Sequence, residues 1–179
     1  GGVLAAVVTE RVPLVLWRHA RGLELLDRTG HRVASATSRE VRSDLPMIAG
    51  IGADRAAAEA LLLIDAAGPL LPRLRGLERV GERRWDIVLD RGQRIMLPAK
   101  DPLPALQRVI AMDRVHDMLG RDLSIIDMRV IDRPSVRIGL DAQNAIRRVR
   151  GQVELGPDAP HHLQLAPHGA GRSGPGADA

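Results

Sequence analysis

The sequence contains no cysteine, no phenylalanine and no tyrosine, and it has only two tryptophans in 179 residues. Without cysteine the chain can form no disulfide, no thiol nucleophile and no zinc–thiolate site. So few aromatic side chains indicate neither an aromatic ligand cage nor a base-stacking platform. The core must therefore be built from Leu, Ile, Val, Met and Ala, within a hydrophobic content of 45%.

Lysine is nearly absent, and the positive charge is spread along the chain. Lys100 is the only lysine among 26 basic residues, and the arginines alternate with Asp and Glu instead of forming one block. The formal net charge of +4 lies on residues 1–140, because four arginines balance four acids after position 140. A basic nucleic-acid-binding module stays an alternative, but it would need clustered cations.

No long hydrophobic run is present. The longest apolar stretch, residues 56–71, is interrupted by Glu59, Asp65, Gly68 and Pro69, so it does not read as a membrane span. The chain starts with two glycines, without Met and without a basic segment followed by an apolar one. This start predicts a fragment whose targeting part lies upstream.

Apolar patterns typical of strands alternate with two helical patterns in residues 1–140. Strands are predicted at residues 3–10, 14–17, 23–26, 31–34, 84–89, 93–98, 125–128 and 135–140, and helices at 56–67 and from 102 onward. Trp85, Ile87 and Leu89 alternate with polar positions, which predicts that Trp85 is buried against the helices. The order of elements predicts an α+β domain in which a mostly antiparallel sheet packs against two helices.

Residues 141–179 have a different composition, with Gly, Pro, Ala and scattered charges, and they end in HGAGRSGPGADA. An apolar period typical of a packed helix or strand is missing from this segment. The composition therefore predicts a disordered tail from Asp141 to the end of the chain.

No catalytic constellation can be assembled from the sequence. The histidines have no metal-ligand spacing; they are His19, His31, His116, His161, His162 and His168. His116 is predicted to be a structural histidine, and Asp86 and Asp90 are predicted to be solvated surface charges. The pair Gly50 and Gly52 precedes a helix but lacks the third glycine and the Lys-Ser/Thr pair of a phosphate loop. We predict no enzyme and no catalytic, metal or cofactor residue; a small hydrolase stays an alternative that would need a pocket with a perturbed acid or base.

Several segments, taken together, carry a resemblance to a known family. VVTERVPLVLW, LELLDRTGHRV, LPMIAG, GERRWDIVLDRGQRIMLP and IIDMRVIDRPSVRI occur in this order. This series resembles the periplasmic part of the bacterial FtsQ/DivIB cell division family, especially its alphaproteobacterial members, over about residues 3–140. The resemblance implies the last strand of a POTRA domain and its connection at residues 1–17, the FtsQ β domain at 18–140 and the tail at 141–179.

The resemblance also implies a function. Members of the family are non-enzymatic scaffolds that link early division proteins to the septal peptidoglycan synthase. The implied partners are FtsB and FtsL, with no cofactor and no nucleic acid. The implied location is the inner membrane at the division septum, with this part in the periplasm and a single membrane anchor upstream of it.

The resemblance further implies a binding site. The family presents the last strand of its β domain as an open edge to which FtsB adds a strand. Carried onto this chain, the edge comprises Ser135, Val136, Arg137, Ile138, Gly139 and Leu140, with Arg129 and Val130 from the neighbouring turn. Arg83 is the best match to the family's basic residue that meets an acidic partner residue, with Arg84 one register away, and an ordinary surface arginine is an equal alternative for Arg83.

Overall fold

The structure, a computed structural model, describes residues 11–157. These residues fall into two compact units, one ending at Ile138 and the other beginning at Gly139, and each is described by itself. The predicted strand at residues 3–10, the last part of the predicted tail and His161, His162 and His168 lie outside the described residues.

The first unit contains strands joined by tight turns, two α-helices and short 3-10 turns. The strands are β1 Val15–His19, β2 Gly22–Leu26, β3 Arg32–Ala36, β4 Met47–Ala49, β5 Leu74–Val80, β6 Arg84–Leu89, β7 Arg94–Met96, β8 Leu123–Asp127 and β9 Ser135–Ile138. The helices are α1 Ala57–Ala66 and α2 Pro102–His116, and the 3-10 turns are Arg39–Arg42, Asp54–Ala56 and Gly68–Arg73. β1 begins two residues after Pro13, so the predicted domain boundary at residue 17 falls inside a strand.

All the described strands belong to one sheet with the order β3-β2-β1-β4-β5-β6-β7-β8-β9. The pairs β1–β4, β4–β5 and β7–β8 are parallel, and the other five neighbouring pairs are antiparallel. Each parallel pair is joined by a long connection, which is what parallel pairing requires. The predicted α+β class and mostly antiparallel sheet are confirmed.

Both helices pack on one face of the sheet. A row of apolar side chains runs across this face in register, from Ile48 through Leu77, Ile87 and Ile95 to Ile126. The helices cover this row with Ala57, Ala60, Leu63, Ala105, Leu106 and Val109, all of which are buried. Trp85 is fully buried in the same cluster, as predicted.

The other face of the sheet, which we call the second face, is covered only in part. Leu45, from the connection between β3 and β4, packs on Leu16 and Leu25 at one end. Farther along, the second face bears charged side chains, and Asp86 among them is only 1% exposed. The prediction that Asp86 is a solvated charge is therefore wrong, because β6 is an inner strand and Arg84 bonds to this carboxylate from the same strand. Asp90 does lie at the surface.

Two strands and one histidine differ from the sequence predictions. Residues 45–50 lie outside the strands and helices predicted from the sequence but contain β4, and β5 was not predicted either. β4 is three residues long, and β5 carries charges on both faces and a glycine, so neither shows a clean alternation. His116 ends α2 with an exposed side chain and is not the structural histidine predicted.

The described part of the second unit consists of one helix and the extended segment that follows it. Helix α3 spans Leu140–Val149, and Asn144 fixes the following chain by bonding the amide and the carbonyl of Leu155 at 2.7 and 3.0 Å. Arg148 also pairs with Glu154 at 2.8 Å. The prediction of disorder from residue 141 onward is therefore wrong for residues 141–149. The apolar positions 142, 145, 146 and 149 lie on one face at helical spacing, hidden in the sequence by the charges between them.

Candidate functional site

The last strand of the first unit lies at one end of the sheet. β9 is paired with β8 on one side, and within residues 11–157 no strand pairs with its other side. The register joins Asp127 to Ser135, Ile126 to Val136 and Ile125 to Arg137. An edge strand of this kind presents main-chain donors and acceptors along its free side.

The side chains of β9 alternate between the two faces of the sheet. Val136 continues the apolar row of the helix face but is 54% exposed, because the helices do not extend over the edge. Arg137 continues the row of the second face and lies in register with Ile125 and Arg94. The edge therefore offers an apolar contact on one face and a cation on the other.

The turn between β8 and β9 adds a second group of predicted residues. Arg129 bonds both carboxylate oxygens of Asp127, at 2.6 to 3.0 Å. A shallow depression at the start of β9 is lined by Asp127, Arg129, Val130, Arg133 and Ser135. The structure thus brings together Arg129, Val130 and the strand Ser135–Ile138.

Arg83 lies in the turn between β5 and β6 and is exposed. One row of paired residues crosses β6 to β9 and consists of Asp86, Met96, Asp127 and Ser135. This row shows that Arg83 lies at the same end of the sheet as the depression. β6 and β9 are separated by β7 and β8, which amounts to about 14 Å at ordinary strand spacing. Arg83 therefore does not belong to the edge strand itself but faces solvent at the same end of the sheet.

Two of the predicted site residues are not part of the strand. β9 stops at Ile138, Gly139 occupies the N-cap position of α3 with φ −70° and ψ 175°, and Leu140 is the first helical residue. The continuous strand predicted for residues 135–140 is therefore two residues too long. The two-residue spacing of Ile138 and Leu140 fits a strand but also the start of a helix. Glycine is accepted at an N-cap, and Asp141 suits the first turn of a helix.

Sequence reasoning missed three residues that shape the edge. Asp127 fixes Arg129, Arg133 lines the depression, and Arg108 of α2 donates a hydrogen bond to the carbonyl of Ile131 at 2.9 Å. Asp127 could have been predicted from the sequence, because the spacing Asp127-x-Arg129 lies beside a strand end and such a pair closes a turn. The hydrogen bond of Arg108 joins segments 23 residues apart, so no local sequence pattern could predict it.

The comparisons with known proteins decide the family. The family model for the C-terminal part of cell division protein FtsQ/DivIB matches residues 15–129. This match covers more than half of the chain and spans β1 to the end of β8. The chain belongs to the FtsQ/DivIB family.

Curated FtsQ relatives agree with this assignment. Cell division protein FtsQ of Paracoccus denitrificans is 73% identical over 158 residues, which are 88% of this chain and 46% of that protein. FtsQ of Cereibacter sphaeroides is 53% identical over 158 residues, which are 88% of this chain and 51% of that protein. The chain thus spans about half the length of the curated FtsQ relatives it matches.

A solved structure of the major extracytoplasmic domain of DivIB from Geobacillus stearothermophilus, in its trans isomer, is also similar. It is 15% identical and covers 62% of this chain and 97% of that one, at a TM-score of 0.42. A likeness of that size adds nothing to the family assignment.

Residues 11–157 of this FtsQ/DivIB chain show neither a metal site nor a membrane-spanning helix. Within residues 11–157, no three His, Asp or Glu side chains are grouped to hold a metal ion, and no helix is long and apolar enough to cross a membrane.

The hydrogen bond from Thr29 holds the pKa of Asp27 far below its usual range. The bond from Arg42 lowers the pKa of Asp44. Both carboxyl groups are therefore ionised near neutral pH.

The ion pair beside the edge predicts a pH dependence of stability. The hydrogen bonds from Arg129 lower the pKa of Asp127 below its usual value, while partial burial opposes them. Because this pKa is lower in the folded state, the pair stabilises the fold fully above the unfolded pKa of about 3.9 and loses this contribution as the pH falls through the folded pKa. We expect Asp127→Asn to reduce the free energy of unfolding at pH 6, and this difference from the parent to shrink as the pH falls from 4 toward 2.

Urea unfolding of both proteins across this pH range checks the expectation. The matched variant Arg129→Gln removes the other partner and should produce a similar pH-dependent difference. A stability difference between parent and Asp127→Asn that does not change with pH would mean that the ion pair is not its cause.

Proposed function

We propose that this FtsQ/DivIB chain is a non-enzymatic scaffold of the division machinery that recruits FtsB and FtsL by strand addition at β9. It would thereby connect early division proteins to the septal peptidoglycan synthase from the periplasmic side of the inner membrane. The observation that carries the proposal is the position of β9 at the end of the sheet, with β8 as its only neighbouring strand within residues 11–157.

The composition of the edge supports strand addition. The proline preceding the strand, Pro134, lies outside it, and neither Pro nor Lys interrupts Ser135–Ile138. Natural sheets usually protect their edges with proline or charged side chains; β9 carries the single charge of Arg137 and no proline, which supports a strand that accepts a partner. A partner strand would gain main-chain hydrogen bonds there and cover the exposed side chain of Val136.

The arginines around the edge support an acidic partner. Arg129 is already paired with Asp127, so its charge is largely satisfied within the domain. Arg133 and Arg137 have no carboxylate partner in the described part of the chain. We therefore expect Arg137 on the strand and Arg133 at its start to contribute more to partner selection than Arg129.

A pair of proline variants tests the proposal. Successive residues of a strand direct their N–H groups to opposite sides, so Val136 and Arg137 differ in which one faces β8 and which faces the free side. Proline on the free side removes a donor that the partner needs, while proline on the other side removes a bond to β8. We expect the variant with proline on the free side to stay as stable as the parent and to bind an FtsB peptide at least about a hundredfold more weakly. The variant with proline on the side facing β8 should be clearly destabilised.

The alanine variants Val136→Ala and Arg137→Ala are the matched controls, since they remove the same side chains and keep both N–H groups. Calorimetric titration with the FtsB peptide and urea unfolding of the four variants give both quantities. If the stable proline variant binds like its alanine control, strand addition at β9 is ruled out.

A further inference from the structure

Two adjoining hollows lie on the part of the sheet formed by β1, β4 and β5. The smaller, about 170 Å³, opens on the second face and has Met47, Gly76 and Val88 among its lining residues. The larger, about 610 Å³, lies where β1 and β4 end and extends to the loop at residues 50–55. Arg18 and Ala49 line both hollows, so together they form one continuous concave surface, which we call the β1–β4 cleft.

The topology explains why a cleft forms here. β1 and β4 are parallel neighbours, so their carboxyl ends lie at the same end of the sheet. After β1 the chain turns back into β2, whereas after β4 it proceeds through α1 toward β5. The larger hollow lies between the turn after β1 and the loop after β4, where these two segments diverge.

The floor of the smaller hollow depends on a glycine. Gly76 has φ +159° and lies at a register shift in the pairing of β5 with β6. A Cβ atom at this position would stand 2.7 Å from the carbonyl oxygen of Met47, so no larger residue fits without moving the backbone. The half-buried side chains of Met47 and Val88 lie beside this space and give it apolar walls.

The charges around the cleft are not balanced. Arg18, Arg21 and Arg75 are exposed, and their guanidinium groups form no hydrogen bond or ion pair with another side chain of residues 11–157, although the backbone N–H of Arg21 donates to His19 Nδ1 at 3.3 Å. On the acidic side, Glu78 is bound by Arg94 at 2.6 Å, which leaves Asp54 as the one acid lining the cleft without such a partner. Three unpaired cations thus face one unpaired acid around apolar walls.

We infer that the β1–β4 cleft binds an acidic peptide segment of a partner protein, with one aliphatic side chain seated over Gly76 and carboxylates beside Arg18, Arg21 and Arg75. The apolar walls suit an aliphatic side chain, and the unpaired guanidinium groups suit carboxylates. β5 and β9 lie four strand spacings apart, about 19 Å, so the cleft is a separate surface from the edge strand. The inference does not depend on strand addition at β9.

An NMR titration of the 179-residue chain tests the inference. The probe is a blocked pentapeptide, Asp-Glu-Leu-Glu-Asp, and the reference probe replaces its acids by Asn and Gln. We expect the acidic peptide to shift the amide signals of Ala49, Gly50 and Gly76 saturably, and its affinity to fall with salt. The neutral peptide should bind at least about tenfold more weakly.

Two double variants carry the same charge change at different places. Arg18→Glu with Arg75→Glu should weaken binding of the acidic peptide at least about tenfold. Arg28→Glu with Arg114→Glu should change it by less than about twofold, because both arginines are exposed and lie outside the cleft. Whichever of Val136→Pro and Arg137→Pro stays as stable as the parent should bind the acidic pentapeptide like the parent, so strand addition can fail without affecting this measurement.

Three outcomes would overturn the inference. The first is the absence of saturable shifts at millimolar peptide, or equal binding of the neutral peptide. The second is a set of shifts centred on β8 and β9, which would place the acidic peptide at the edge strand. The third is a concentration-dependent shift of the cleft signals without peptide, which would make a second copy of the chain the occupant.

Discussion

Replacing Trp85 by alanine is expected to lower the free energy of unfolding by about 3–5 kcal/mol. Trp85 is the largest fully buried side chain of the domain and lies in β6, at the centre of the core cluster under both helices. Its indole N–H donates a hydrogen bond to Glu59 of α1 at 2.9 Å. The guanidinium of Arg79 lies 5.0 Å from the ring centroid and interacts with its face. The substitution therefore removes packing, a hydrogen bond and a cation–π contact together.

Urea unfolding followed by circular dichroism measures this loss, and Trp85→Phe separates its parts. Phenylalanine keeps an aromatic ring in the core but has no N–H to donate, while Glu59 keeps its bond from Arg79 at 2.6 Å. We expect Trp85→Phe to be clearly less destabilising than Trp85→Ala. A loss below about 1 kcal/mol for the alanine variant would contradict the central position of this side chain.

The core could be predicted from the sequence because its signal is local. Trp85, Ile87 and Leu89 alternate within one strand, and this alternation defined both the buried face and its contact with the helices. β4 gave no such signal because it is three residues long and pairs with strands far away in the chain. β5 gave none because charges on both faces and Gly76 break its alternation, although it pairs with β6 next to it in the chain. Residues 45–50 contain a strand only because β1 and β5 hold Met47–Ala49 between them.

The last strand could be predicted from its alternation, but its position at the edge of the sheet could be predicted only through the family resemblance, and its end could not be predicted at all. Val136 and Ile138 alternate with polar residues, and Leu140 continues the same period into a helix. Periodicity cannot separate the last strand residue from the first helical one when the residue between them is glycine. The β1–β4 cleft left no signal in the sequence, since its residues come from four separate segments.

The alternation of β6 did not predict that Asp86 is buried. A carboxylate opposite an apolar row reads as a solvent-facing charge, because one face of a half-buried strand is wet. Here that face is screened by long arginine side chains, and the side chain of Asp86 is only 2% exposed. Arg84 and Arg94 both bond to it, and Arg94 continues to Glu78 at 2.6 Å. The charges of β5, β6 and β7 thus form one network on the second face.

We expect Asp86→Asn to destabilise the domain by about 3–5 kcal/mol, because removing one partner of a buried ion pair leaves the other charge uncompensated. Arg84 is the side chain affected most, since it is only 14% exposed and its one carboxylate partner in the described part of the chain is Asp86. Arg94 loses less, because it keeps its bond to Glu78. The free energy of unfolding in urea at neutral pH is the measurement.

The double variant Arg84→Met with Asp86→Leu distinguishes a stabilising ion pair from the cost of leaving one charge buried alone. Replacing both partners by apolar side chains removes the pair and its desolvation cost together, so we expect this variant to be about as stable as the parent. Arg84→Met alone should be destabilised, since Asp86 then depends on Arg94 only. With Asp86→Leu alone as the second single variant of the cycle, the coupling between the two positions should therefore be large. If Asp86→Asn costs less than about 1 kcal/mol, or if the double variant is the least stable of the set, the network does not work in this way.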